Sequence, residues 1–274
     1  MDKVIAIQGA EGSNHHKVAR NFYGTTIQLK ECMSFDVLVD SLLDNSANMG
    51  VMALENTIAG SIIPNYALID KHNLHITNEE YLNIHHHLMA LKGQNIEDIK
   101  EVWSHPMALL QCKEFFKKYS HIKLVEDVDT AEVAKRIFKE NLVGIAAIAP
   151  KIAAEIFDLA IIEDEIQTIK DNSTRFVIVQ TDEPKLNEDV NKASLKFELN
   201  HKRGSLAAIL NVLSDCKMNL TKIQSLPVIE TPWKYSFFVD VTFDEYENYE
   251  KAKSVIQIMA EEFKILGTYK NGRK

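Results

Sequence analysis

The feature that most constrains this chain is a change of pattern near residue 180. Up to that point, short apolar runs alternate with stretches of helical periodicity. Residues 4–7, 25–29, 50–54, 74–91, 101–103, 122–125, 143–147 and 176–180 read as strands, and 35–43, 106–119, 130–139 and 150–157 as helices. Two helix starts are signed by their caps: Ser34, and the run Asp129-Thr130-Ala131-Glu132, which resembles a capping box. Strand–helix alternation predicts an α/β fold with a largely parallel sheet. The long 74–91 stretch is expected to carry the chain between two lobes. Residues 181–189 are polar, contain Pro184 and lack periodicity, so they read as a linker. Beyond it the order changes. Residues 194–199, 220–229, 235–241 and 265–269 read as strands, with one helix face at Leu206, Ile209, Leu210 and Leu213 and another at Tyr249, Ala252, Ile256, Met259 and Phe263. That is the βαββαβ order of an α+β ferredoxin-like domain. The expected domains are 1–182 and 191–274.

With 274 residues the chain is long enough for two cores. A formal net charge of −8 argues against general nucleic-acid binding, which needs clustered Lys and Arg, but leaves room for a small anion held locally. No run approaches the ~20 apolar residues of a membrane span, and the first residues are interrupted too quickly for a signal peptide. Cys32, Cys112 and Cys216 each sit inside an apolar pattern, which favours reduced core thiols over disulfides or catalysis. A cytoplasmic location is expected.

Four segments carry hydrogen-bonding residues at strand ends, where open α/β sheets bind ligands. Gly9-Ala10-Glu11-Gly12-Ser13 follows the first strand; it reads either as a turn whose N–H groups approach an anion or as an ordinary strand–helix turn. It lacks the Gly spacing of a dinucleotide fingerprint. Glu55-Asn56-Thr57 follows residues 50–54, and helix capping by Asn56 or Thr57 is the competing explanation. Ser104-His105-Pro106 starts a helix, with Ser104 as the expected cap. Asn172-Ser173-Thr174-Arg175-Phe176 puts four hydrogen-bonding side chains in a row before an apolar strand, unless it is a surface loop. The run His85-His86-His87 supplies no three converging metal ligands, because on a strand His86 faces away from the other two. Neither a metal nor a cofactor is expected.

These segments, taken in order, resemble the successive motifs of prephenate dehydratases: 9–13, Glu55-Asn56-Thr57 with Gly60, Ser104-His105-Pro106 with Ala108, Gln111 and Cys112, and Asn172 with Thr174-Arg175-Phe176. His201, Gly204-Ser205-Leu206, the run from Asn219 to Ser225 and Pro227 are similar to that family's phenylalanine-sensing ACT domain. The likeness covers nearly the whole chain. It implies a bilobal catalytic domain similar to periplasmic binding proteins, an ACT regulatory domain, and a homo-oligomer, dimer or tetramer. With the first strand starting near Met1, the chain is expected to be monofunctional. Asn14 and His15 stand where the family motif has an aromatic and a Ser; Thr57 replaces a Ser; Gln224-Ser225-Leu226-Pro227 replaces Glu-Ser-Arg-Pro, so phenylalanine control is expected to persist but to be weaker.

The resemblance further implies that prephenate loses carbon dioxide and water to give phenylpyruvate, with aromatisation as the driving force. Thr174 is expected at the leaving hydroxyl, Arg175 at a substrate carboxylate, and Glu55 or His105 behind Thr174 as proton sources. Ser13, Asn56, Thr57, Ser104, Asn172 and Phe176 are expected to hold substrate, and Gly204, Ser205, Leu206, Ala207, Asn219, Leu220 and Gln224 to hold phenylalanine. Arogenate dehydratase and a non-catalytic amino-acid-responsive binding protein are the alternatives.

Overall fold

The computed structural model describes residues 3–185, 189–200, 202–228 and 234–273. The chain divides into two compact units, one formed by Met1–Ser61 and Tyr81–Phe176, the other by Ile62–Glu80 and Val177–Lys274. The first opens with β1 (Val4–Gln8), α1 (Asn14–Tyr23), β2 (Gln28–Cys32), α2 (Phe35–Leu43), β3 (Met49–Asn56) and the short β4 (Gly60–Ser61). Next, α3 (Ile63–Lys71) lies in the second unit, and β5 (His75–Asn83) starts there and ends in the first. The first unit continues with β6 (His87–Ala90), β7 (Glu101–Ser104), α4 (Pro106–Phe116), β8 (Lys123–Glu126), α5 (Thr130–Glu140), β9 (Ile145–Ala149), α6 (Lys151–Ile156) and β10 (Ala160–Glu163). Finally β11 (Ser173–Gln180) leads into the second unit.

One sheet has the order β2-β1-β3-β11-β5, with β4 on β3; the other is β10-β6-β9-β7-β8. β1 is parallel to β2 and β3, and β7 to β8 and β9. Ile5, Ala6, Ile7, Val51, Met52 and Leu54 are buried, as strands covered on both faces require. The two cap readings hold: Ser34 Oγ accepts from Val37 N at 3.2 Å, and Asp129 Oδ1 from Ala131 and Glu132 N at 2.9 Å.

Several elements differ from expectation. The strand expected at 25–29 forms at Gln28–Cys32, because pairing with β1 decides the register and selects a mostly polar run. The 74–91 stretch splits into β5 and β6, and residues 84–86 pass from one sheet to the other. α3 and β10 have no clear periodicity and were not anticipated. β11 starts at Ser173, so the polar run enters the sheet.

The second unit continues with β12 (Lys192–Glu198), α7 (Ser205–Asp215), β13 (Asn219–Pro227), β14 (Tyr235–Thr242), α8 (Tyr246–Met259) and β15 (Glu262–Tyr269), in the sheet order β13-β14-β12-β15. All pairings in this sheet are antiparallel, the ferredoxin-like arrangement. Phe263 is in β15, not on α8: the extended backbone of Ala260 ends the helix, and Phe263 packs on the same core from the strand. His201, residues 186–188, and Ile229 at the end of the strand expected at 220–229 lie outside the described residues.

β12 is buried on both faces. Ala193, Leu195 and Phe197 enter the apolar core, with α7 and α8 residues. Lys192, Ser194, Lys196 and Glu198 alternate with them and are buried too. Lys192 Nζ reaches both Glu79 oxygens, at 2.9 and 2.8 Å, and Lys196 lies 3.1 Å from Asp70. At Gly267 an added Cβ would meet the Ile76 carbonyl oxygen at 2.2 Å. The segment Ile62–Glu80 is thus built into the second unit by buried charge and close backbone approach. Among the described residues no helix is long and apolar enough to cross a membrane. The three cysteines are unpaired.

Candidate active site

The β1–α1 turn is tight. Gly9 and Gly12 have φ of +88° and +91°, and a Cβ on Gly9 would lie 2.6 Å from Asp129 Oδ2. Burial pushes the Asp129 carboxyl up from its ordinary range. The turn does not offer the free donors expected of it. Glu11 N donates to Glu31 Oε1 at 2.7 Å, Gly12 N to His16 Nδ1 at 3.0 Å, and Ser13 N to the Ala10 carbonyl at 3.1 Å. Ser13 Oγ caps α1 by accepting from His16 N at 3.3 Å. The N–H groups of Asn14 and His15, in the first turn of α1, keep no acceptor outside the helix among the described residues. His15 is buried with its Nε2 unpartnered, edge-on to Phe176 at 5.0 Å between ring centres, and burial lowers its pKa to about 3. Phe176 therefore packs on His15 as part of the interior.

The end of β3 meets the start of β11. Asn56 Oδ1 accepts from the backbone N–H groups of Ile58 at 2.9 Å and Ala59 at 2.8 Å. Two donors aimed at one oxygen fix which end of the amide points where. Asn56 Nδ2 then donates to Asn172 Oδ1 at 2.6 Å and to Thr174 Oγ1 at 2.9 Å. Asn172 Nδ2 donates to Gln111 Oε1 at 3.2 Å, and that oxygen also receives His86 Nε2 at 2.8 Å. Thr57 locks the register of the two segments: its N–H donates to the Ser173 carbonyl and its Oγ1 accepts from Ser173 N, both at 2.9 Å. Thr174 and Asn172 are buried.

Of the expected residues, Asn56, Asn172 and Thr174 come together directly, with Thr57 as their clamp. Others do not. Ser104 Oγ is wholly buried and donates to the Ile148 carbonyl at 2.7 Å, so its hydroxyl faces the sheet and not a ligand. The cap of α4 is His105, not Ser104: the exposed His105 accepts from Met107 N through Nδ1 at 3.2 Å. Arg175 follows Thr174 on a regular strand, so it points to the opposite face, where it is buried. It does not share the Thr174 face, which removes the geometric basis for pairing it with a carboxylate there. Glu55 is half-buried in the β3–β4 ladder opposite Ser61.

Two residues of the cluster were not assigned a role from sequence. In the sequence Gln111 is legible only as part of a motif, and His86 only as the middle of the three-histidine run. His85 and His87 do face one side and His86 the other: His85 Nδ1 lies 3.3 Å from Glu165, and His87 Nδ1 2.9 Å from Asp164. Both pairs border a cavity of about 410 Å³, lined also by Asn14, Lys17, Asn83, Pro150 and Lys151. Lys17 and Lys151 have no acidic partner among the described residues. No group of three or more His, Cys, Asp or Glu among the described residues is placed to hold a metal ion.

A pinned network of amides and a hydroxyl sits at the carboxyl end of a central strand, where open α/β sheets bind ligands, and a ligand-sized cavity bordered by His85 and His87 carries two lysines with no acidic partner among the described residues. The chain matches the family model for prephenate dehydratase over residues 5–184. It is 30% identical over 270 residues to the bifunctional chorismate mutase/prephenate dehydratase of Buchnera aphidicola subsp. Acyrthosiphon pisum, covering 95% of this chain and 69% of that protein. It is 35% identical over 280 residues to arogenate dehydratase/prephenate dehydratase 2, chloroplastic, of Arabidopsis thaliana, covering 97% and 72%. The prephenate dehydratase of Arthrobacter aurescens, solved in complex with L-Phe, superposes with a TM-score of 0.85 at 21% identity, over 98% of this chain and 90% of that one. The chain belongs to the prephenate dehydratase family, and its α/β fold is the one seen in solved members.

Proposed function

We propose that this protein converts prephenate to phenylpyruvate, in aromatic amino acid biosynthesis, at the site built on Asn56, Asn172 and Thr174. One observation carries the reading. Thr174 Oγ1 accepts from Asn56, whose own orientation is fixed by two backbone donors. The Thr174 hydroxyl hydrogen is then left to point at a ligand. In the reaction the bond from the ring to its carboxylate breaks, its electron pair enters the ring, and the hydroxyl on the opposite ring carbon leaves. One proton converts that hydroxide to water, and carbon dioxide departs. A hydroxyl such as Thr174 is too weak an acid to supply the proton alone. It stabilises the departing oxygen by a hydrogen bond, an effect of ~10²–10⁴ in rate for groups of this type. For the carboxylates of the substrate the reading offers Lys17, Lys151 and Asn14, which line the cavity bordered by His85 and His87. His105 and Glu55 stay as the candidate proton sources. Catalysis needs no metal or cofactor in this reading, because aromatisation supplies the driving force.

The second part of the proposal is control by L-phenylalanine. Gly204, with φ of +85°, opens α7, and Ser205 to Ala207 form its first turn. That turn borders a cavity of about 400 Å³ lined by Arg203, Gly204, Ser205, Ala208 and Met259, and one of about 110 Å³ lined by Leu206, Tyr235 and Phe237. Asn219, Leu220 and Gln224 line neither. An effector site that uses both groups of residues therefore favours a second copy of the chain, a homo-dimer or a tetramer built from dimers, with residues 191–274 acting as an ACT domain. A cytoplasmic location fits this biosynthetic role.

The deciding experiment offers prephenate and arogenate separately to the purified protein. The expected result is phenylpyruvate from prephenate. Turnover of arogenate alone would assign the protein to the relatives named for that substrate, and turnover of neither would overturn the enzymatic reading.

A further inference from the structure

We infer that His86 is a positioning residue for the dehydration: its ring donates to Gln111 and thereby anchors the far end of an amide chain, directed from Asn56, that presents the Thr174 hydroxyl to the substrate. The inference rests on the role given above to Thr174.

At one end the backbone N–H groups of Ile58 and Ala59 hold Asn56 Oδ1, so Asn56 offers N–H to Asn172 and Thr174. Asn172 must present its oxygen to Asn56, and therefore its N–H to Gln111. Gln111 must in turn present its oxygen, which leaves one arrangement for the fifth member: a ring N–H from His86 Nε2, at 2.8 Å. The opposite tautomer would present a lone pair to that oxygen. Gln111 would then flip, place its NH₂ against the NH₂ of Asn172, and pass the conflict to Asn56, which cannot turn. Two adjoining donors, buried and without acceptors, are costly. The chain closes with His86 neutral and protonated on Nε2.

The surroundings of His86 favour that state. It is 6% exposed, and its Nδ1 is buried without a partner among the described residues. A proton on Nδ1 would have nothing to bond. Burial also holds the ring below its ordinary pKa. The backbone is fixed as well: His86 N donates to Gln167 Oε1 at 2.9 Å, and its carbonyl accepts from Ile166 N at 2.8 Å. His86 thus supports the reacting hydroxyl through three intervening side chains, touching no substrate itself.

The test pairs kinetics with spectroscopy. His86→Leu is expected to lower kcat for prephenate about a hundredfold, the size of effect a displaced reacting group produces, with little change in KM. His86→Gln places an N–H near the position of Nε2 and is expected to recover most of that loss. In a Thr174→Ala background, His86→Leu should cost nothing further. Long-range ¹H–¹⁵N spectra of the wild type, assigned by difference against His86→Gln, should show the Nε2–H tautomer. Additive losses with Thr174→Ala, a well-folded His86→Gln protein as slow as His86→Leu, or an Nδ1–H tautomer would each overturn the positioning role. A wild type inactive on both prephenate and arogenate overturns the functional reading and this role with it; an active wild type with the wrong tautomer overturns this role alone.

Discussion

Replacing Thr174 by Val is the sharpest single perturbation of the proposed chemistry, because it changes bonding while keeping shape. Thr174 is 7% exposed, and its Oγ1 accepts one hydrogen bond, from Asn56 Nδ2. In the Val variant that nitrogen keeps Asn172 Oδ1 at 2.6 Å and the Ser173 carbonyl at 3.4 Å, so no donor is stranded. Loss of one neutral hydrogen bond is worth about 1 kcal/mol of stability. In a unit of this size that is a fall in Tm of roughly 2–4 °C. The catalytic cost is of another order. Removing a donor to the departing oxygen should lower kcat by about 10²–10⁴, or roughly 3–5 kcal/mol of barrier. Thr174→Ser, which keeps the hydroxyl, should retain a measurable part of the rate. The assay is the initial rate of phenylpyruvate formation, beside a thermal melt of the same samples. A Val variant that melts normally and keeps more than about a tenth of wild-type kcat would show that Thr174 is not at the leaving group.

Other expectations follow from the same structure. Glu79→Leu or Lys192→Met alone should lower stability by about 3–5 kcal/mol in urea titrations, while the double variant should be near wild type; equal and additive losses would refute the buried pair. Below pH 6.5 the unfolded chain protonates His15, whereas the folded ring takes a proton only near a pKa of about 3. The stability due to the neutral ring is therefore complete above pH 6.5 and lost as pH falls, at about 1.4 kcal/mol per pH unit, so His15→Leu should flatten the profile between about pH 6 and about pH 4; parallel profiles would refute it. Titration of the full chain with L-phenylalanine should release heat and Gln224→Glu should tighten binding; no heat at millimolar ligand would remove the effector role.

Much of this was legible in the sequence, for identifiable reasons. The strand–helix alternation, the Ser34 and Asp129 caps and the βαββαβ order are local patterns, and they survive folding. Asn56, Asn172 and Thr174 stand out in the sequence as polar residues against apolar runs, and the fold brings them into hydrogen-bond contact. What failed was side-chain direction. Ser104 and Arg175 occupy the expected backbone positions, yet one bonds inward to Ile148 and the other points through the far side of β11. His86 was illegible for the converse reason: its partner Gln111 lies on another element, and three adjacent histidines look alike until the strand orders them.

The segment Ile62–Glu80 is the part that sequence reading misplaced most, and it leads to a further prediction. Alternation of Ala193, Leu195 and Phe197 with Lys192, Ser194, Lys196 and Glu198 looks like a strand with one wet face. That face is instead covered within the second unit, with Glu79 on Lys192 and Asp70 on Lys196 and Lys264. The acids precede their lysines by more than a hundred residues, so no local pattern joins them. A chain ending at Asp182 would keep the segment 62–80 but lose what it packs on, including Lys192, Lys196, Lys264 and Gly267, and so expose a face that is buried in the whole chain. Residues 183–274 alone would take Glu79 from Lys192 and Asp70 from Lys196, which keeps Glu198 and Glu262. Each piece should therefore be unstable by itself, and the two co-expressed as separate polypeptides should purify together through the 62–80 contacts. Glu79→Lys, which sets like charges against each other, should abolish that association. Independent, cooperative melting of residues 183–274 at wild-type temperature would refute the dependence and restore the simple division at the linker.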